Sequence, residues 1–228
     1  MKENMPKHYL VFDTETIGLH DLNMFDIGIV ILDNKGNLIH TEEALINEVY
    51  NSPKIHSAYY YGKNKEFYNN ANIKIRSIKD IRFLFNSLIK EYNVNRILAC
   101  NTNFDIRVLN FMFKQYNLGK NINKHKLSKV GIKIGDLQKI FIGNVNITKY
   151  IKFCLENNLI TGKGNIQYGV ESIIKFIIGK DYKEQHTALA DALDEAIILN
   201  YIMKLPKFNL DKEIKSPTHY IKKIRKSI

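Results

Sequence analysis

Residues 8–46 read HYLVFDTETIGLHDLNMFDIGIVILDNKGNLIHTEEALI, and this stretch decides the fold class. The apolar run HYLVFD, residues 8–13, and the longer β-branched run FDIGIVIL, residues 25–32, have the length and composition of strands. Between residues 33 and 37 the chain reads DNKGN, a turn in which Gly36 can take positive φ, and it leads into a third strand near 38–45. Three short strands joined by tight connections predict an antiparallel meander.

Beyond the meander the pattern changes. Residues 46–76 are polar and aromatic, with Tyr59-Tyr60-Tyr61 and Phe67-Tyr68, and show no dominant period. Ser77 is placed to cap a helix running to about Tyr92, in which Ile78, Ile81, Leu84, Phe85, Leu88 and Ile89 form one stripe. RILAC, residues 96–100, predicts a buried strand, followed by a helix over 104–116, a loop over 117–131 and a short strand over 132–135. Helices are expected at 148–158, 169–178 and 188–203, the last, ALADALDEAIILNYIM, having the highest helix propensity. Three antiparallel strands followed by alternating helices and strands indicate an α/β domain, a mixed five-stranded sheet flanked by helices. Pro206 and the charged residues after it divide the chain into a domain, 1–205, and a basic extension, 206–228.

Three acidic segments mark the candidate site. Asp13 and Glu15, spaced i and i+2 at the end of the first strand, leave the same face. Two acids side by side repel unless a cation lies between them, and an all-oxygen donor set favours Mg²⁺ or Mn²⁺; acids also close strands without any such role. The segment Asn101-Thr102-Asn103-Phe104-Asp105 follows the buried strand, so that Thr102 or Asn103 can cap the next helix and Asp105 enters its first turn. His186 precedes the last helix and Asp191 lies in its first turn, where Ala188, Ala190 and Ala192 permit close approach to neighbouring backbone. Cys100 reads as core, Tyr59-Tyr60-Tyr61 as surface and partial core, and Asp136, Asp194 and Glu195 as structural.

Taken together the segments resemble the DEDD exonucleases of the DnaQ-like, ribonuclease H-like superfamily, in the subgroup with a catalytic histidine. Asp13, Glu15, Thr16 and Gly18 match Asp-x-Glu-Thr-x-Gly; Asn101, Phe104 and Asp105 match Asn-x-x-Phe-Asp; His186 and Asp191 match His-x-x-x-x-Asp. The tyrosine subgroup would carry Tyr where this chain has Thr187, Ile17 replaces a frequent Thr, and Asp26 stands where relatives often have Glu.

The resemblance implies a ribonuclease H-like sheet and a metal-dependent 3′-5′ exonuclease that releases 5′ nucleoside monophosphates. It implies that Asp13, Glu15, Asp105 and Asp191 hold two Mg²⁺ or Mn²⁺ ions, with Asp13 bridging them, that His186 is the general base, and that Thr16, Phe104 and Asn101 contact substrate. The implied partner is nucleic acid with a free 3′ end, single-stranded, DNA favoured over RNA, with a polymerase or replication complex as a further partner. Two alternatives share the scaffold: a ribonuclease H-type endonuclease, and a catalytically silent binding or accessory module.

Charge fits a polyanionic partner. Across 228 residues, 34 Lys and Arg oppose 23 Asp and Glu, a net charge of +11. The residues from Lys204 to Ile228 carry eight basic and two acidic groups, and Lys120 to Lys139 carries six Lys against Asp136. A composition of 29 Lys, 34 Ile and 26 Asn against 5 Arg also follows from AT-rich coding, and guanidinium forks would be the better phosphate ligands. Two cysteines exclude a disulfide framework, and the absence of a long apolar run argues for a soluble, cytoplasmic protein.

Overall fold

The computed structural model describes residues 7–119 and 122–214. Most of the basic extension, residues 215–228, lies outside the described residues, as do Lys120 and Asn121 of the second basic stretch.

In chain order the elements are β1 (His8–Thr16), β2 (Met24–Leu32), β3 (Leu38–Ile46), α1 (Asn47–Tyr50), a 3₁₀ turn (Pro53–Ser57), α2 (Tyr59–Lys63) and α3 (Lys65–Asn70). They continue with β4 (Lys74–Arg76), α4 (Ile78–Glu91), β5 (Val94–Ala99), α5 (Thr102–Gln115), α6 (Lys124–Lys129) and β6 (Lys133–Asp136). The chain then runs through α7 (Leu137–Asn144), α8 (Ile147–Glu156), α9 (Val170–Ile178) and α10 (Ala188–Met203).

The strands form one mixed sheet in the order β4-β3-β2-β1-β5-β6. β1, β2 and β3 are antiparallel, while β5 runs parallel to β1, β6 to β5 and β4 to β3. The sheet therefore has six strands, not the five expected. β4 escaped the sequence reading because it is three residues long and sits at the exposed edge, where no alternation of burial is imposed.

Strand periodicity divides the core between two layers. Leu10 and Phe12 of β1 and Ile27, Ile29 and Ile31 of β2 pack with Ile81 and Phe85 of α4 and Val108 and Met112 of α5. Val11 and Val30 face the other way, toward Phe141 of α7, Tyr150 of α8, Ile173 of α9 and Ala192 and Ile198 of α10. β2 is buried along its whole length, which explains its unbroken apolar run.

Local sequence fixes the helix boundaries. Ser77 and Asp80 close a capping box at the start of α4, which contributes about 1 kcal/mol. Asn123, Asp136 and Asn146 cap α6, α7 and α8 through side-chain oxygens. The start of α5 departs from expectation: Asn101 is its cap residue, in the left-handed region at φ 55°, and makes no side-chain cap bond. Thr102 turns its hydroxyl to the carbonyls of Ala99 and Gly135, tying β5 to β6.

Residues beyond Pro206 pack back on the sheet edge. Leu210 is buried, Asp211 pairs with Arg96 at 2.7 Å and Lys133 at 2.9 Å, and the Ile214 N–H donates to the Lys139 carbonyl.

Candidate active site

The site forms where β1, α5 and α10 converge. Asp13 and Glu15 share the parity of Val11 and so leave the face covered by α10. Across the antiparallel pairing Asp13 stands opposite Gly28 and Glu15 opposite Asp26. Gly28 matters because a Cβ there would lie 2.2 Å from the carbonyl oxygen of Ala188; only a glycine lets the first turn of α10 rest on the sheet at this level.

The start of α10 is held from a distant strand. Its cap residue Thr187 makes no side-chain cap bond. Instead the Ala188 N–H and the Tyr68 hydroxyl both donate to Oδ2 of Asp26, each at 3.0 Å. Burial, then Glu43, pushes the Asp26 carboxyl up to about 7.

Asp191, in the first turn of α10, accepts the His186 N–H at 3.2 Å and lies 3.9 Å from the His186 Nδ1. Asp105, in the first turn of α5, is 2% exposed and accepts the Thr14 hydroxyl at 2.8 Å. Donor atoms of Glu15, His186 and Asp191 fall within 4.8 Å of one another.

The electrostatics are those of crowded acids. Burial first, then Asp105, Glu195, Glu15 and Asp191, raises the Asp13 carboxyl well above its ordinary range. Glu15 is pushed up to about 9 by burial and then Asp191, Asp191 to about 8 by burial and then Glu184, and Asp105 to about 7 chiefly by burial. Among the described residues no Lys or Arg forms an ion pair with any of the four. Asp13, Glu15 and Asp191 face one opening together with the His186 imidazole, while Asp105 does not line it; such a donor set suits a hard divalent cation, which would supply the missing positive charge.

His186 behaves differently. Burial, then Lys63, lowers its imidazole below the ordinary value, leaving it neutral near pH 7 and able to accept a proton.

The cleft in front of these groups has a volume of about 510 Å³. Asp13, Glu15, Thr16, Phe104, His186 and Asp191 line it, with Leu19, Tyr59 and Tyr60 at its mouth and Glu184 beside the histidine. Thr16 donates its hydroxyl to the Gly18 carbonyl, and the Phe104 ring carries the Arg107 guanidinium at 5.5 Å. Asn101 is not brought into this cleft; it lines a separate cavity of about 200 Å³ with Asp136, Gln138, Lys139 and Tyr168.

Two further acids belong to the cluster. Glu195 is 1% exposed, accepts the Cys100 N–H at 2.8 Å, and is raised well above its ordinary range by burial and then Asp105. Its position four residues after Asp191 on a helix, hence on the same face, was the available signal. Glu184, pushed up to about 7 by burial and then Asp194, lies 3.9 Å from His186. No spacing rule singles it out, because the segment before α10 is irregular.

The sequence matches no protein-family model, and no curated protein matches it. Solved structures do. Escherichia coli exonuclease I in complex with a dA16 oligonucleotide superposes with a TM-score of 0.57 at 16% identity, over 87% of this chain and 41% of that one. The zinc-bound form of the E. coli exonuclease I complex with single-stranded DNA gives 0.57 at 16% identity, over 86% and 40%. An apo exonuclease I structure gives 0.59 at 16% identity, over 88% and 42%. The chain thus spans about two fifths of the length of the proteins it matches. With these likenesses on top of the strand order and the helical layers, the fold is the ribonuclease H-like fold that the exonuclease I structures share.

Proposed function

We propose that the protein is a metal-dependent 3′-5′ exonuclease that removes 5′ nucleoside monophosphates from single-stranded nucleic acid, DNA in preference to RNA. The observation that carries this reading is the convergence of Asp13, Glu15, His186 and Asp191 in one open cleft, with Asp105 directly behind Thr14. The solved structures of the same fold that were captured with DNA oligonucleotides support the substrate class.

Asp13, Glu15, Asp105 and Asp191 hold two Mg²⁺ or Mn²⁺ ions in this reading. Bound there, such ions acidify water and offset the charge that develops on the departing oxygen. His186 removes a proton from the attacking water, whose oxygen bonds to the phosphorus of the terminal nucleotide. The bond from that phosphorus to the 3′ oxygen of the preceding nucleotide breaks, and the 3′ oxygen takes a proton from solvent. The Phe104 ring borders the terminal nucleotide and the Thr16 segment supports it. A silent binding module would leave the neutral imidazole of His186 without a use.

Digestion of linear and circular single-stranded DNA, duplex DNA and RNA with Mg²⁺ or Mn²⁺ tests the reading. Nucleotide release from linear single strands, with the circle left intact, is the expected result. Cleavage of the circle indicates an endonuclease, and binding without release indicates a silent module; either outcome removes the proposal.

A further inference from the structure

Residues 47–70, which lie within the stretch without sequence periodicity, reach the candidate site at the cleft mouth and at the His186 loop. His186 has a left-handed backbone at φ 59°, which a non-glycine residue adopts only when its surroundings enforce it. The enforcing contacts come from α2 and the residue after it. Asn64 donates its side-chain amide to the Gln185 carbonyl at 2.9 Å and to the His186 carbonyl at 2.8 Å. The Tyr60 ring stacks on the imidazole, with centroids 4.3 Å apart and planes at 26°.

This clamp is itself rigidly seated. Tyr61, next to Tyr60, is buried against Phe25, Tyr50 and Tyr68. Tyr68 in turn donates to the Asp26 carboxylate that receives the first N–H of α10. The histidine loop and the helix bearing Asp191 are thereby referenced to the same aromatic cluster. The imidazole is gripped on one face, and its Nδ1 lies 3.9 Å from carboxylate oxygens of both Glu184 and Asp191. Two side chains outside the acidic cluster thus define the plane of the ring and the strained backbone beneath it.

We infer that Tyr60 and Asn64 are positioning residues that act through His186, fixing the orientation in which its imidazole meets the attacking water. This inference rests on the exonuclease reading of the cleft. A base displaced by about 1 Å loses on the order of 100-fold in rate, so the effect belongs to kcat rather than to KM.

The experiment is a double-mutant cycle on the full chain with a short single-stranded oligonucleotide. Tyr60→Leu and Asn64→Ala should each lower kcat by roughly 10- to 100-fold with KM little changed. Tyr60→Phe, which keeps the stacking ring, should retain most of the turnover. In a His186→Ala background Tyr60→Leu should cost nothing further, because the group it orients is gone. The imidazole C–H resonances of His186, identified by their loss in His186→Ala, should shift in Tyr60→Leu as the ring current is removed. An unchanged kcat in Tyr60→Leu, or an equal loss with and without His186, overturns the assignment. A wild-type chain that shortens no oligonucleotide overturns the exonuclease reading instead, and the resonance shift then reports on the clamp alone.

Discussion

Gly28 of β2 and Ala188 of α10 meet so closely that the carbonyl oxygen of Ala188 occupies the space where a side chain on Gly28 would begin, 2.2 Å from the Cβ position. The Leu189 Cα would be 2.4 Å away, so the obstacle is backbone and cannot swing aside. Gly28 also pairs across the sheet with Asp13. The same contact that seats the helix thus sets the separation between the carboxylates of β1 and Asp191.

Gly28→Ala should accordingly lift the start of α10, costing about 1–3 kcal/mol as an overpacked core does, and should weaken divalent-ion binding at the same time. Thermal unfolding with and without Mg²⁺ reads both effects. A variant with wild-type stability and an undiminished metal-induced shift would show that the contact positions nothing.

The crowded acids make a pH prediction for the metal-free protein. A carboxyl whose pKa is raised on folding binds its proton more tightly in the folded chain, so its stabilising contribution is complete below the unfolded value near 4 and is lost as pH rises through the folded value. Asp105 at about 7, Asp191 at about 8 and Glu15 at about 9 place that loss between about pH 4 and 9. In EDTA the melting temperature should fall across this window. Millimolar Mg²⁺ or Mn²⁺ should raise it more at pH 8 than at pH 5, since the ion binds the ionised acids. A melting temperature that rises with pH in EDTA and ignores the ions would contradict the proposed site.

Burial, then Asp105, holds the Glu195 carboxyl well above its ordinary range and so favours its neutral form. Glu195→Gln preserves a neutral acceptor for the Cys100 N–H, and its stability should stay close to wild type. Glu195→Ala strands that buried N–H and opens a cavity, costing about 2–4 kcal/mol. Chemical denaturation compares the two; equal losses would mean that the residue is buried in ionised form.

A strand path is expected along the concavity of about 490 Å³ that shares Glu184 and His186 with the cleft, where Lys63, Lys180 and Lys183 are exposed. In the Lys120 to Lys139 stretch, by contrast, Lys133 and Lys139 are already paired with Asp211 and Asp136. Reversing Lys180 and Lys183 to Glu should raise KM and flatten the salt dependence of binding, by about 0.7 in slope for each phosphate no longer neutralised, with kcat largely spared. Salt titrations with fluorescent oligonucleotides measure the slope. An unchanged slope would place the strand elsewhere.

The three meander strands were legible because their burial pattern is written into the sequence. β1 extends past the expected 8–13 through Thr14, Glu15 and Thr16, acids and hydroxyls that periodicity discounts, with Glu15 pairing Asp26 and Thr16 pairing Met24, the one residue by which β2 extends past 25–32. The spacing of Asp13, Glu15, Asp105, His186 and Asp191 led to residues that the fold does bring together. The segment 47–70 stayed illegible for a physical reason. Its short helices are stabilised by aromatic contacts to Phe25 and by the Tyr68–Asp26 hydrogen bond, 42 residues away in sequence, and not by any local period. Tyr60 and Asn64 reach the site from the short helix α2 and its end, and Glu184 from irregular chain, whereas Asn101, matched by motif and left-handed in backbone, lines a neighbouring cavity.

The most direct measurement is the Mg²⁺- and Mn²⁺-dependent digestion of a 5′-labelled single-stranded oligonucleotide by the wild type, Asp13→Ala and His186→Ala, each first shown to be folded. The wild type should give a ladder that shortens from the 3′ end, silenced by EDTA, and both variants should lose it by at least about 100-fold, the scale of removing a general base. A wild type that leaves the label at full length with either ion, or variants that shorten it as fast as the wild type, would contradict the proposed activity.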